Sequence, residues 1–253
     1  GFCKRVLTEN AFEARLPFES ELVANEDNLL LELADTFWYQ HFLKPSDVHL
    51  RLLQQQGLTP DKLLATVRLF IGKPYLHEVI PAVADDSFTQ AKAAFNSAMS
   101  AAASVWREQQ TSIQALLHAA LSGKVLNAQT YKADKVNTWL LLIEAVFTSG
   151  FVEKDAAEAL EKLGARYLQS KTNKAKSTPT HAFFDALDVL HEAHTGLQAL
   201  LPGALEHLRV QLLHYLRREL PLRKQQRGLL TFDDLLLQLE QALTRHPDFA
   251  QRL

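Results

Sequence analysis

Three observations predict an all-α fold, a multi-helix bundle with long arm-like helices. Leucine occurs 46 times against 17 for valine and isoleucine together, and leucine favours helices whereas strands favour β-branched residues. Apolar residues recur at three- and four-residue steps over long windows, the helical period. Glycine and proline, nine of each, fall mostly between those windows, where they punctuate helices. A chain of 253 residues, 47% hydrophobic and 22% charged, can bury a sizeable core and excludes disordered, collagenous and disulfide-stapled classes. One helical domain over residues 1–253 is expected.

The first helix is capped at Asn25, with Glu26 and Asp27 beside its positive dipole end and Leu29, Leu30, Leu33, Phe37 and Trp38 on one face. Two short helices follow, from about Pro45 to Gln56 and from Thr59, with Pro60 at its first helical position. Residues 71–86 read as a loop. From about Ser87 to Leu121, a seam of Phe88, Ala91, Phe95, Ala98, Ala102, Val105, Gln109, Ser112, Leu116 and Ala120 predicts the longest helix, with polar Gln109 and Ser112 as its weak points. At 1.5 Å per residue it is on the order of 50 Å long, so it either projects or packs on a partner of similar length. The stripe Leu205, Leu208, Leu212, Leu213, Leu216 and Leu220, between about Gly203 and Arg227, offers that partner, with a kink expected at Pro221. Shorter helices are expected around Lys135–Phe147, Lys154–Leu163 and His181–His194, and a mobile loop over Ser170–Thr180. The last helix opens at Thr231, where Thr231, Phe232, Asp233 and Asp234 resemble a capping box with aspartate reaching back.

No catalytic motif emerges. Gly72-Lys73 and Gly123-Lys124 lack the upstream glycine and the following Ser or Thr of a phosphate-binding loop. His191 and His194 are three apart, not the four of a zinc-binding helix, and read as a solvated helix end. Asp85-Asp86 and Asp233-Asp234 read as helix caps, and Cys3 lacks a nucleophile elbow. No metal or cofactor is therefore expected in this chain. No apolar run approaches the roughly 20 residues of a membrane span, and the first residues lack a signal peptide's pattern, so a cytoplasmic protein is expected.

The net charge of −2 hides a polarised distribution. Eight acids face Arg15 alone between Thr8 and Thr36, whereas Lys162–Lys176 holds five bases and no acid. Between Ala204 and Leu230, six bases face Glu206 and Glu219. Lysine and arginine in such clusters suit phosphate contact without base readout, and Lys171, Lys174, Lys176, Arg217, Arg218, Arg223, Lys224 and Arg227 are the candidate DNA-binding residues.

Both ends carry a resemblance. Gly1-Phe2-Cys3-Lys4-Arg5-Val6-Leu7, followed by Asn10-Ala11-Phe12-Glu13, resembles the stretch after the Thr-x-His motif of UvrD-like superfamily 1 DNA helicases of the RecB type. Arg227-Gly228-Leu229-Leu230-Thr231-Phe232-Asp233-Asp234-Leu235-Leu236 is similar to the segment before that family's Walker B motif, and Thr178-Pro179 with Phe183–Asp188 is also RecB-like. The resemblance implies a helical 1B subdomain, a non-catalytic arm reaching toward duplex or forked DNA. Residues 1–13 and 228–253 would then be edges of a RecA-like motor domain, with Phe2, Cys3, Thr231, Phe232, Asp233 and Asp234 as structural motif residues. It implies that ATP and Mg serve the parent rather than this chain. The parent would be an ATP-dependent helicase and nuclease of the exodeoxyribonuclease V class, acting in double-strand break repair and recombination with RecC-like and RecD-like subunits. The alternative is a helical scaffold whose acidic front half docks a partner subunit such as a RecC-like protein.

Overall fold

The computed structural model describes residues 21–42, 48–73 and 85–245. In chain order the described elements are β1 (Glu21–Leu22), α1 (Asp27–His41), α2 (Val48–Gln55), α3 (Pro60–Val67), a 3-10 turn (Arg68–Phe70) and α4 (Asp85–Ser122). They continue with α5 (Ala133–Ser149), α6 (Lys154–Leu163), α7 (Ala165–Ser170), α8 (Ala182–Arg227), β2 (Leu229–Leu230) and α9 (Phe232–Arg245). The fold is all-α, as the leucine excess predicts. No single described helix is long and apolar enough to cross a membrane.

The chain divides into two compact units. The first draws on residues 21–42, 58–73 and 208–245, three segments distant in sequence, so no linker composition marks it. Its core takes Leu29, Leu30, Leu33, Ala34 and Phe37 from α1, Leu63, Leu64 and Val67 from α3, and Leu212, Leu216 and Leu220 from α8. The Phe37 and Tyr215 rings meet at 5.5 Å. Gly228, in the left-handed conformation at φ 62°, stops α8 and turns the chain into β2. There Leu229 and Leu230 pair in parallel with Glu21 and Leu22.

The second unit holds residues 48–57 and 85–207. Phe95, Trp106, Ile113 and Leu117 of α4 are buried, as are Val136, Leu140 and Ile143 of α5, Leu160 and Leu163 of α6, and Phe183, Phe184, Leu187 and Leu190 of α8. Ring contacts between Trp106 and Phe183 at 5.1 Å and between Phe95 and His194 at 6.0 Å show α4 running antiparallel to the first part of α8. The long helix therefore takes its partner from residues 182–194, and the stripe beyond Leu208 belongs to the core shared with α1 and α3.

Breakers behave differently from expectation. The two helices expected at His181–His194 and Gly203–Arg227 are one, which runs through Pro202, Gly203 and Pro221. Buried Leu190, His194, Leu197, Leu201, Leu208, Leu212, Leu216 and Leu220 keep helical spacing across both prolines, and their burial offsets the roughly 3 kcal/mol that an internal proline costs. A non-helical backbone angle falls in α4, at Gln109 (φ −129°, ψ 17°), one of the two polar positions in its seam.

Candidate nucleic-acid interface

Lys171, Lys174 and Lys176 lie in one strap of the second unit, between α7 and α8. The strap is tied down, contrary to the expected mobility. Thr172 forms an antiparallel bridge with Leu126, and the Asn127 N–H donates to the Lys171 carbonyl at 2.9 Å. The Asn173 N–H donates to the Val125 carbonyl at 2.8 Å, while its side-chain amide donates to the carbonyls of Lys124 at 2.9 Å and Leu126 at 3.2 Å. Thr172 and Thr178 share a hydroxyl bond of 2.9 Å, and Ala175 takes the left-handed turn at φ 61°. Polar turn residues look mobile in a sequence, yet here their side chains bond the neighbouring chain.

The five bases between Lys162 and Lys176 divide by what they touch. The Lys162 ammonium donates to the Tyr167 hydroxyl at 2.7 Å. Burial disfavours its charge, but that bond and the Glu161 carboxylate outweigh burial and raise its pKa. Arg166 pairs with Asp188 and Glu192. Lys171 is half-buried with its ammonium 5.5 Å from the Tyr167 ring centre. Lys174 and Lys176 are exposed, and neither pairs with a carboxylate among the described residues.

In the first unit the other basic cluster is largely neutralised by the acidic front of the chain. Arg223 reaches Glu32 at 2.9 Å, and Arg227 grips both Glu32 oxygens at 2.7 and 2.8 Å. Arg217 donates to the carbonyls of Phe70 and Lys73, each at 3.0 Å. Lys224 is buried at 8% exposure between Glu26 and Asp234, 2.8 Å from the latter. Arg218 pairs with neighbouring Glu219 at 2.8 Å and keeps 67% of its side chain exposed. The sequence shows these opposite charges as separate runs because nearly 200 residues separate them.

The Thr231 motif is a capping box in the structure. One Asp234 oxygen accepts from the Thr231 N–H and hydroxyl, both at 2.7 Å, and the Asp234 N–H returns a bond to Thr231 at 3.3 Å. Phe232 and Asp233 are exposed, while Phe2 and Cys3 lie outside the described residues. His191 and His194 occupy the interior of α8, and His194 is 3% exposed, so the solvated helix end expected for them is corrected: α8 continues past them because its apolar stripe does. The Lys73 and Lys124 carbonyls accept from Arg217 and Asn173 at 3.0 and 2.9 Å.

No protein-family model matches the chain. Over 245 residues it is 26% identical to the RecBCD enzyme subunit RecB of Escherichia coli, covering 96% of this chain and 20% of that protein. The similarity to RecB extends over nearly the whole length of the chain. RecB of Haemophilus influenzae matches at 22% identity, again over 96% of this chain. RecB of Buchnera aphidicola matches at 34% identity over 71 residues, 28% of the chain. The chain spans about a fifth of the length of the first two relatives.

Proposed function

We propose that the chain is a non-catalytic DNA-contacting arm of a RecB-like helicase and nuclease of double-strand break repair and recombination, corresponding to the 1B subdomain. Lys171, Lys174 and Lys176 touch the sugar–phosphate backbone. The carrying observation is the strap itself, which presents three lysines from a hydrogen-bonded frame with no acid in its sequence. Ammonium groups carried on such a frame neutralise phosphates without reading bases. Arg218 is the exposed candidate of the other cluster, whereas Arg217, Arg223, Lys224 and Arg227 hold the first unit together. ATP, Mg and the RecC-like and RecD-like subunits belong to the parent, in the cytoplasm.

Residues 228–253 lead into a motor domain in this reading, which the exposure of Phe232, Leu236 and Leu237 on α9, at 61%, 56% and 52%, supports. The same apolar face favours a second reading, docking of a partner subunit such as a RecC-like protein. Fluorescence anisotropy with a labelled forked duplex over a salt series tests the first. Charge reversal of Lys171, Lys174 and Lys176 together lowers affinity at least tenfold at low salt and reduces the salt slope by about three. Unchanged affinity and slope, with capture of a RecC-like subunit retained, would favour the second.

A further inference from the structure

We infer that Lys124, some fifty residues upstream of the strap, belongs to the same backbone-contacting surface, with Asn173 as the residue that positions it. The inference rests on the DNA-contact reading and extends it to a segment that no charge run in the sequence marks. Residues 123–132 and 171–180 contribute Lys124, Lys132, Lys171, Lys174 and Lys176 and not one acid. Backbone bonds join the two segments at Asn127–Lys171 and Asn173–Val125, and the Asn173 amide donates to the Lys124 carbonyl itself at 2.9 Å. Lys124 thus sits directly across from the strap, and its side chain is exposed.

The backbone at Lys124 adds an independent reason. It stands at φ 51°, in the left-handed position that ends α4. The Lys124 N–H donates to the Leu121 carbonyl at 3.0 Å and the Val125 N–H to Ala120 at 2.8 Å, the paired bonds of a Schellman terminus. Glycine is the residue of least cost there, and a lysine carries strain that packing does not explain. Tyr131, the one aromatic side chain of the two segments, is 3% exposed. The two segments therefore offer ammonium groups and no exposed ring, and the Tyr167 ring beside Lys171 is half-buried.

Lys124→Gly separates fold from function, because it relieves the strained cap while removing the charge. In the full chain, its melting temperature is expected to stay level or rise while affinity for a labelled mixed-sequence duplex falls about three- to tenfold at low salt, with the salt slope reduced by about one. Lys154→Glu, a reversal outside both segments, serves as the reference and leaves affinity within twofold. In an Asn173→Ala background the loss caused by Lys124→Gly shrinks at least twofold, since the lysine is no longer held against the strap. If Lys124→Gly binds like the parent chain while the triple strap reversal still weakens binding, Lys124 is outside the surface and the inference falls alone. If the triple reversal also has no effect, the DNA reading itself fails. A loss seen with polyglutamate but not with duplex would assign the surface to an acidic protein and overturn the inference.

Discussion

His194 shows how a residue's meaning depends on what covers it. In sequence it is half of a His-x-x-His pair; in the structure it faces Phe95 within the core, and burial, followed by the nearby His191 ring, lowers its pKa from 6.5 to about 4. The unfolded chain therefore binds a proton between those values that the folded chain refuses, so stability falls as pH drops through that window. Urea denaturation is expected to give about 2 kcal/mol less stability at pH 5 than at pH 7 from this group, and His194→Leu should flatten that difference. An unchanged pH dependence in the variant would place the acid sensitivity elsewhere. The burial of His194 was not legible, because the proline at 202 suggests a helix end that burial of the flanking leucines overrides.

At the scale of elements, the buried Lys224 ties three starts and stops together: the end of α8, the residue before α1, and the cap of α9. Burial pushes the Asp234 carboxyl up, but Lys224 and the two bonds from Thr231 outweigh it and leave the pKa below the ordinary value. Burial likewise disfavours charged Lys224, and Asp234 and Glu26 outweigh it, so its pKa is raised. The Asp234 contribution is present above about pH 4 and is lost as pH falls through its lowered pKa. The Lys224 contribution is present below about pH 10 and is lost as pH rises through its raised one. Lys224→Met is expected to cost about 2–3 kcal/mol at neutral pH, less than a fully buried pair, because both carboxylates keep 26% exposure. Chemical denaturation checks this; a neutral or stabilising outcome would mean the carboxylates find water or other partners at no cost. Helix existence and the capping box at Thr231 were readable, since both depend on residues within four positions. The merging of two helices across Pro202 depends on which side chains are buried, and local breakers report that poorly, whereas the irregular backbone at Gln109 falls on a polar position that the seam itself marked as weak.

For the whole chain, similarity extends over about a fifth of RecB, and the proposed role is that of a part acting without its own motor. The chain by itself is expected to hydrolyse no ATP above background, with or without DNA. Turnover that copurified with it through several columns would overturn the proposed role. By itself the sequence determined the helical class, the position of most helices, the capping of α9 and the RecB resemblance, because leucine content, period and short motifs are local properties. Only the tertiary structure decided which charges are available. Glu26 and Glu32 meet Lys224, Arg223 and Arg227 across nearly 200 residues, which takes four of the expected phosphate contacts, with Arg217, into internal bonds. Asn173 brings Lys124 to the lysine strap from some fifty residues away. A charge acts over a few ångströms of space in competition with water, and spatial neighbours are what a linear order of residues does not contain.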